Sequence, residues 1–381
     1  MPSAVAVRLA LLCPLIALAT VTTRADDLLQ ALSVLQQASQ DGRDHREVAR
    51  AWQVVAHADA RRLPAVLAAI DGATPLGANW LRSAVDAAAG RQLDRQADLP
   101  REAMEAFILD RQHDPRARYL AYRWLVRFDE TARERLLEQM ANDPSVELRR
   151  EAVDRLIRQA KTIDVLRQRE EAIEAYRSAL HAARDQDQVK QIAAALKKLG
   201  QTVDLPRHFG FITQWKLIAP FDNSDRKGFD AVYPPERELN ARGVYKGKTG
   251  SVKWRPFETD HPFGMVDFNK PYGKLKEVVG YAWADFRSER EQQVELRLGC
   301  KNAWKLWLND EFIFGRDEYH RGMQMDQYRY RVTLRPGVNR ILLKICQNEQ
   351  QEDWTVQWEF QLRVCDATGT AILSADRDGS S

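Results

Sequence analysis

The chain has 381 residues, of which 44% are hydrophobic and 29% are charged, an ordinary composition for a globular protein. This length is sufficient for two or three domains, each with its own hydrophobic core. The formal net charge of +3 is nearly balanced, so charge gives no argument for nucleic acid or an anionic membrane as the main partner.

The N-terminal residues 1–25 have the features of a secretory signal peptide. One early cation, Arg8, precedes an apolar run from Leu9 to Leu18, and small residues come just before Asp26. This run is shorter than the roughly 20 residues of a membrane-spanning helix, so an uncleaved anchor is the weaker alternative. We expect cleavage after Ala25, export to the periplasm or the extracellular space, and no membrane span in the mature chain.

From Asp26 to about Gly200 the chain is rich in Ala, Leu and Arg at helical spacing, which predicts a helical domain over residues 26–203. Two segments share the pattern R-x-x-A-x-x-x-L: RYLAYRWL, beginning at Arg118, and RREAVDRL, beginning at Arg149. Each follows an Asp-Pro pair. We expect Asp114 and Asp143 to cap the two helices, because aspartate accepts from free backbone N–H groups and proline suits the first turn.

These segments resemble the repeats of HEAT-type α-solenoids, and NWLRSAVDAAAG at residues 79–90 is similar to an earlier member. The segment EEAIEAYRSALHAARD at residues 170–185 resembles the second helix of a TPR unit, with one apolar stripe formed by Ala172, Tyr176, Ala179 and Leu180. The resemblance implies stacked helix pairs, and a plain helical bundle is the alternative. Either arrangement offers a surface for a protein partner rather than a reaction centre.

Near Asp204 glycine and proline end the helical pattern, and the hydrophobic period changes to two. Residues 204–366 are predicted to form an antiparallel β-sandwich or jelly roll, and residues 367–381 a flexible tail. The predicted strands are Trp215 to Phe221, Ser251 to Phe257, Val278 to Phe286, Gln292 to Leu298, Ala303 to Leu308, Glu311 to Phe314, Tyr328 to Leu334, Val338 to Gln347 and Trp354 to Val364.

The mature chain keeps Cys300, Cys346 and Cys365, and an odd count leaves at least one thiol unpaired. If the last two strands formed a hairpin, Cys346 and Cys365 would lie about 30 Å apart, far beyond the ~7 Å limit between the Cα atoms of a disulfide. We therefore expect free structural cysteines. No spacing indicates a metal site, and no cofactor is expected.

Four segments of this region, in order, resemble the galactose-binding-like jelly roll that accompanies many secreted bacterial glycosidases. They are VELRLG at 294–299, KLWLNDEFIF at 305–314, YRVTLRPGVNRILLKI at 330–345 and WEFQLRV at 358–364. Asp310 stands where the family usually has the glycine of a W-[LV]-N-G turn, and aspartate also accepts turn conformations. The resemblance implies a domain that binds sugars in some proteins and only supports a neighbour in others.

The hairpin within KLWLNDEFIF is the first candidate site. Side chains alternate across a strand, so Leu306 and Leu308 share the core face while Trp307 and Asn309 share the other. Trp307 is either a platform on which a sugar ring stacks or a residue that packs beneath a loop.

The loop GRDEYHRGMQMDQ at residues 315–327 is the second candidate. Its arginine and carboxylate groups around a tyrosine would suit a polyhydroxylated ligand, through Arg316, Asp317, Tyr319 and Arg321. A solvated, salt-bridged loop is the alternative. The acids also suggest calcium, but no recognisable coordination spacing is present.

The sequence contains no H-E-x-x-H, no G-x-S-x-G and no phosphate-binding glycine loop. A glycosidase needs two carboxylates at a set separation, which sequence alone does not establish. The pattern favours a secreted, non-catalytic binding or scaffold protein, with a solenoid for protein partners and a β-sandwich for glycan or protein. The alternative is a carbohydrate-active enzyme or an accessory subunit of a glycoside hydrolase.

Overall fold

The computed structural model describes residues 25–39 and 45–377. A helical region is followed by antiparallel sheets, as the change of hydrophobic period predicts. The chain divides into two compact units, unit 1 at residues 1–140 and unit 2 at residues 141–381. The predicted signal peptide lies outside the described residues, apart from Ala25. In the part of the chain that the structure describes, no helix is both long and apolar enough to span a membrane.

Unit 1 contains seven helices among its described residues: α1 Ala25–Gln36, α2 His45–Ala56, α3 Leu63–Ala68, α4 Pro75–Asp94, α5 Arg101–Leu109, α6 Pro115–Phe128 and α7 Thr131–Leu137. The prediction that Asp114 caps α6 is confirmed. The Asp114 side chain accepts a hydrogen bond from the Arg116 backbone N–H. The arginine that begins the repeat pattern is structural here. Arg118 is buried, and its Nε donates to the Ile108 carbonyl at 2.7 Å.

Unit 2 begins with four helices: α8 Val146–Thr162, α9 Arg169–Ala182, α10 Gln186–Lys198 and α11 Leu205–Phe209. The prediction that Asp143 caps α8 is wrong. The cap is Ser145, whose Oγ accepts from the Leu148 backbone N–H, while Asp143 accepts from the Ser145 backbone N–H. The aspartate therefore orients the capping residue instead of capping the helix, because the extended backbone continues one residue beyond Pro144.

The remainder of unit 2 contains twelve strands: β1 Gln214–Asp222, β2 Val244–Lys246, β3 Ser251–Lys253, β4 Arg255–Glu258, β5 Val266–Asp267, β6 Val278–Ser288, β7 Gln292–Cys300, β8 Ala303–Leu308, β9 Glu311–Arg316, β10 Tyr328–Leu334, β11 Gly337–Gln347 and β12 Glu359–Cys365. Two short helices, α12 Pro234–Arg237 and α13 Asn269–Tyr272, lie in the connections.

The strands form a six-stranded sheet in the order β4-β1-β6-β11-β8-β9, a four-stranded sheet in the order β10-β7-β12-β5, and a small β2-β3 pair. The two larger sheets share one hydrophobic core. Strand β8 contributes Trp304, Leu306 and Leu308 to this core, and Leu296 and Leu298 of β7 join it from the other sheet. The predicted core side of β8 is confirmed.

The last two strands do not form a hairpin. Strand β11 pairs with β6 and β8, whereas β12 pairs with β7 and β5 in the other sheet. The connection crosses between the sheets, and Trp358 at its end lies in the core, where the indole N–H donates to the Ile345 carbonyl at 3.1 Å. Cys300, Cys346 and Cys365 are nevertheless free, and all three are buried.

The helices of unit 2 pack on the sandwich. Phe209 and Phe211, which follow the predicted boundary at Asp204, are buried in the same hydrophobic cluster as the inner faces of α8, α9 and α10. The helix-to-strand transition thus occurs near Asp204, but the division between compact units lies at Met140. A helical pattern and a strand pattern indicate where secondary structure changes, not which elements share a core.

The segment predicted as a tail is ordered as far as residue 377. Ser374 Oγ accepts from the Arg287 backbone N–H at 2.8 Å. Arg207 Nη1 donates to the Arg377 carbonyl at 2.8 Å, and Arg377 Nη1 donates to the Phe211 carbonyl at 3.0 Å. These bonds hold residues 367–377 against the sandwich.

A fragment beginning at Ala141 should therefore unfold cooperatively, whereas one beginning at Asp204 should lack a cooperative transition. The shorter fragment exposes Phe209 and Phe211, which together lose about 3–6 kcal/mol of burial. Near-UV circular dichroism during thermal unfolding tests this difference. Equal melting temperatures for the two fragments would instead support Asp204 as the boundary of an independent domain.

Candidate functional site

The six residues predicted as ligand-binding do not form one site. Asn309 lies at the turn of the β8-β9 hairpin, whereas Arg316 ends β9 at the opposite end of the same hairpin. A strand of six residues is about 20 Å long. Asn309 and the loop that begins after Arg316 are therefore too far apart to hold one small ligand.

Trp307 is a packed residue rather than an open platform. Its side chain is 9% exposed and belongs to a hydrophobic cluster on the outer face of the six-stranded sheet. The ring lies 5.6 Å from the Phe312 ring at an angle of 61°, and Leu342 is its partner across the strand pair. This burial favours the second of the two interpretations of Trp307.

Replacing Trp307 with alanine should therefore destabilise the fold by about 3–5 kcal/mol, and Leu306→Ala by about 2–5 kcal/mol, through lost burial and cavity formation. Phe312→Ala is the matched control, because that ring is 53% exposed and its loss should cost under about 1 kcal/mol. Urea unfolding measures all three. An unchanged unfolding free energy for Trp307→Ala would return this residue to the role of a binding platform.

Asn309 builds the turn. Asn309 and Asp310 have φ of 52° and 68°, a conformation that asparagine and aspartate tolerate, which explains why aspartate can stand in place of the usual glycine. Asn309 Nδ2 donates to Asn339 Oδ1, and Asn309 Oδ1 accepts from the Arg340 backbone N–H, both at 2.9 Å. Its amide is thus used to tie the hairpin to the start of β11.

The two arginines of the predicted loop site are exposed and held only by local partners. The Arg316 guanidinium lies 5.2 Å from the centre of the Phe314 ring. Arg321 Nε lies 3.6 Å from a carboxylate oxygen of Glu318. Exposed pairs of this kind contribute little to stability, and the arrangement corresponds to the solvated-loop alternative.

Tyr319 and Asp317 face a different set of groups. Tyr319 Oη accepts from Asn223 Nδ2 at 3.1 Å, and the Arg226 guanidinium lies 5.3 Å from the Tyr319 ring centre. Burial raises the pKa of Asp317, and the negative charge of Asp230 raises it further. Both residues follow the end of β9, so they lie at the end of the hairpin opposite the Asn309 turn.

Within residues 25–39 and 45–377, no group of three or more His, Cys, Asp or Glu residues is placed to hold a metal ion. Asp326, one of the acids that suggested calcium, is used elsewhere. Its Oδ1 accepts from Arg363 Nε at 2.6 Å, and its Oδ2 accepts from Arg363 Nη2 at 2.6 Å and Arg297 Nη1 at 2.8 Å.

A cavity of about 530 Å³ lies over strands β4, β1 and β6, and we term it the tryptophan groove. It is lined by Gln214, Trp215, Lys216, Pro256, Phe257, Glu258, Trp283, Ala284, Asp285 and Asp376. Antiparallel register brings these residues together, because Gln214 lies opposite Glu258 and Lys216 lies opposite Trp283. None of the six predicted site residues is part of this groove.

The centre of the tryptophan groove is an ordered polar triad. Asp285 Oδ1 accepts from Trp283 Nε1 at 2.8 Å, and Asp285 Oδ2 accepts from Lys216 Nζ at 2.7 Å. The Lys216 ammonium also lies 4.1 Å from the centre of the Trp283 ring. Trp254 contacts the edge of that ring, with centroids 5.6 Å apart at 76°. These contacts fix the orientation of the groove's aromatic and charged groups without a ligand.

A second polar cluster, on the same outer face, is closed. Lys344 is fully buried, and its Nζ donates to the Phe229 carbonyl at 3.0 Å, the Ala231 carbonyl at 2.6 Å and Glu236 Oε1 at 2.9 Å. The Tyr281 hydroxyl donates to the same Glu236 oxygen. Burial lowers the pKa of Lys344, and the Glu236 charge partly offsets this effect. All three ammonium protons have acceptors, so this cluster anchors a loop and offers no free donor to a ligand.

Comparison with known proteins leaves the family open. No protein-family model and no curated protein matches the chain. Similar solved structures include an FMN-binding β-glucuronidase from Faecalibacterium prausnitzii L2-6, with a TM-score of 0.23 and 10% identity over 40% of this chain and 21% of that one. An anti-sigma factor domain-containing protein from Clostridium clariflavum has a TM-score of 0.25 and 11% identity over 43% of this chain and 45% of that one.

The β-glucuronidase of Ruminococcus gnavus is similar at a TM-score of 0.24 and 11% identity, over 41% of this chain and 28% of that one. The matched region thus spans less than half the length of each of these three proteins. Similarities at these TM-scores support no argument about function. An inference about function therefore rests on the geometry of the described residues.

Proposed function

We propose that this chain is a secreted, non-catalytic binding or scaffold protein that holds a glycan in the tryptophan groove. The proposal includes a cleaved signal peptide, HEAT/TPR-like solenoid repeats that contact a protein partner, and a galactose-binding-like jelly roll. These finer assignments are supported by the motifs of the sequence. The proposal of a glycan ligand rests on the tryptophan groove.

The groove has the size and the chemistry of a sugar site. Its volume of about 530 Å³ falls within the range of small-molecule pockets, roughly 300–1,000 Å³. Asp285, Glu258 and Asp376 supply carboxylate acceptors for hydroxyl groups, and Lys216 and Gln214 supply donors. A ligand with many hydroxyl groups and no net charge fits this mixture better than an anion or an apolar molecule.

Binding of the purified protein to a glycan array, followed by calorimetry with the best-bound glycan, tests the proposal. Glu258→Gln and Asp285→Asn should each weaken binding at least about tenfold, which corresponds to about 1.4 kcal/mol. Both side chains are exposed at the groove, so the melting temperature should change little. Glu311→Gln is the matched control, because Glu311 is an exposed acid on the opposite edge strand of the same sheet.

The absence of any glycan signal would contradict the proposal. Equal affinities for Glu258→Gln, Asp285→Asn and Glu311→Gln would also contradict it, because the groove would then not be the site.

A carbohydrate-active enzyme is the second candidate. The observation that favours it is that burial and the charge of Asp230 raise the pKa of Asp317, which is the direction of shift that a carboxyl group acting as a general acid requires. Release of reducing sugar from a glycan, abolished by Asp317→Asn and unaffected by Glu258→Gln, would establish this function in place of the binding role.

A further inference from the structure

A second cavity of unit 2, also about 530 Å³, lies away from the tryptophan groove. We term it the methionine cavity. Its walls come from the segment after α9, the connection between β4 and β5, and the loop between β9 and β10. Its charged and apolar lining residues include Arg184, Asp185, Phe263, Met323, Met325 and Arg329.

Arg184 brings to this cavity a cation that is not directly paired with a carboxylate. Its Nε donates to Thr370 Oγ1 at 3.1 Å, and its Nη1 donates to the His181 and Ala183 carbonyls. These acceptors are neutral, and Arg184 forms no ion pair with a carboxylate of the described residues. Burial lowers the pKa of Arg184, and the negative charge of Asp366 offsets this effect only in part.

Arg329 supplies a second cation. Its side chain is 57% exposed, and its Nη2 lies 3.8 Å from Asp326 Oδ2. That oxygen already accepts from Arg363 and Arg297, so it neutralises Arg329 only weakly. The other acid of the cavity wall, Asp185, lies 3.5 Å from Arg150, which also donates to both carboxylate oxygens of Asp187. Both wall carboxylates therefore already have arginine partners, whereas Arg184 has no ion pair among the described residues and Arg329 has only a shared one. These two cations are the charges left to bind an anion.

Part of the remaining wall is apolar and adaptable, and it lies beside the polar side chains of Gln186, His261, Gln324 and Gln361. Met323 and Met325 are partly exposed on the β9-β10 loop, and Phe263 lies on the β4-β5 connection. The Lys190 ammonium lies 4.8 Å from the centre of the Phe263 ring and adds a further cation beside this wall. Flexible thioether side chains repack around different apolar groups, so a methionine wall suits the varied side chains of a peptide.

We propose that the methionine cavity binds an acidic, partly apolar peptide segment of a partner protein. A carboxylate of the peptide pairs with Arg184 and Arg329, and an adjacent apolar side chain packs against Met323, Met325 and Phe263. Guanidinium groups bind carboxylates through paired, charge-assisted hydrogen bonds, so the site should prefer a negatively charged peptide. This site is distinct from the glycan groove, and either can exist without the other.

A phage-displayed library of random dodecapeptides, selected on the full-length protein, tests the proposal. Selected sequences should contain more Asp and Glu than the library and at least one large apolar residue. Fluorescein-labelled copies of the best sequence then report affinity by anisotropy. Arg329→Gln should weaken binding at least about tenfold, and raising the salt from about 0.05 to 0.3 M should weaken binding to the unmodified protein.

Arg331→Gln is the matched control, because Arg331 is exposed two residues further along β10 but does not line the cavity. It should bind the peptide within about twofold of the unmodified protein. Arg329 is exposed, so Arg329→Gln should keep the fold even if Arg184→Gln does not. Selection of no peptide, selection of peptides without an acid surplus, or equal affinities for Arg329→Gln and Arg331→Gln would each overturn the proposal.

Discussion

Lys344→Met is expected to lower the free energy of unfolding of unit 2 by about 3–5 kcal/mol. The substitution removes the donor to the Phe229 and Ala231 carbonyls and leaves the Glu236 carboxylate with the Tyr281 hydroxyl. The Glu236 side chain is only 8% exposed, so its charge would remain desolvated without a counterion. The loss of stability comes mainly from this unpaired buried carboxylate and from the two carbonyl groups that lose their hydrogen-bond donor.

A double substitution separates these contributions. Lys344→Met combined with Glu236→Gln removes both charges, and the double variant should be more stable than the sum of the two single losses predicts. Lys305→Met is the control, because the Lys305–Asp230 pair is 3.5 Å apart and Asp230 is 90% exposed. Its loss should cost under about 1 kcal/mol. A similarly small loss for Lys344→Met, measured by urea unfolding, would show that the buried pair does not anchor the loop.

Asp326→Asn should be comparably severe, at about 3–5 kcal/mol. The carboxylate accepts three hydrogen bonds from Arg363 and Arg297, whose side chains are 2% and 6% exposed. An amide of the same shape offers one acceptor oxygen and no charge, so one buried guanidinium loses most of its compensation. Asp310→Asn is the control, because the Asp310–Arg340 pair is exposed and should contribute under about 1 kcal/mol.

The same carboxylate should shape the stability of the fold in acid. Burial alone would raise the pKa of Asp326, but the hydrogen bonds and charges of Arg363 and Arg297 outweigh burial and lower it below 3.8. Because the folded-state pKa is lower than the unfolded one, the stabilisation is present above the unfolded pKa and is lost as pH falls through the folded value. Asp326→Asn should therefore flatten the stability profile below about pH 4. An unchanged profile would place the acid sensitivity elsewhere.

Strand positions follow from local alternation, which explains why the predicted limits of β8 and β10 agree with the structure. The partners of each strand cannot be predicted from local alternation, because pairing depends on contacts between distant segments. The two candidate sites illustrate the same limit. Their residues are close in sequence, but the extended β8-β9 hairpin places Asn309 and the loop after Arg316 at opposite ends. The tryptophan groove joins β1, β4, β6 and residue 376, and only the shared face of Trp283 and Asp285 on β6 could be predicted.

Lys344 illustrates a second limit. A lysine within the apolar segment RILLKI predicts a solvent-facing position, because a lone ammonium is rarely buried. Its acceptors come from residues 229–236, more than a hundred positions earlier in the chain. Nothing in the local pattern identifies them.

The three buried thiols can report how this protein opens. Burial raises the pKa of Cys300 and of Cys346 to about 12 and that of Cys365 to about 11, so alkylating reagents should not modify these three thiols in the folded state. Cys346 lies on β11 in the larger sheet, and the other two lie on β7 and β12 in the smaller one. The order in which iodoacetamide modifies them would reveal whether the two sheets separate together or one unfolds first.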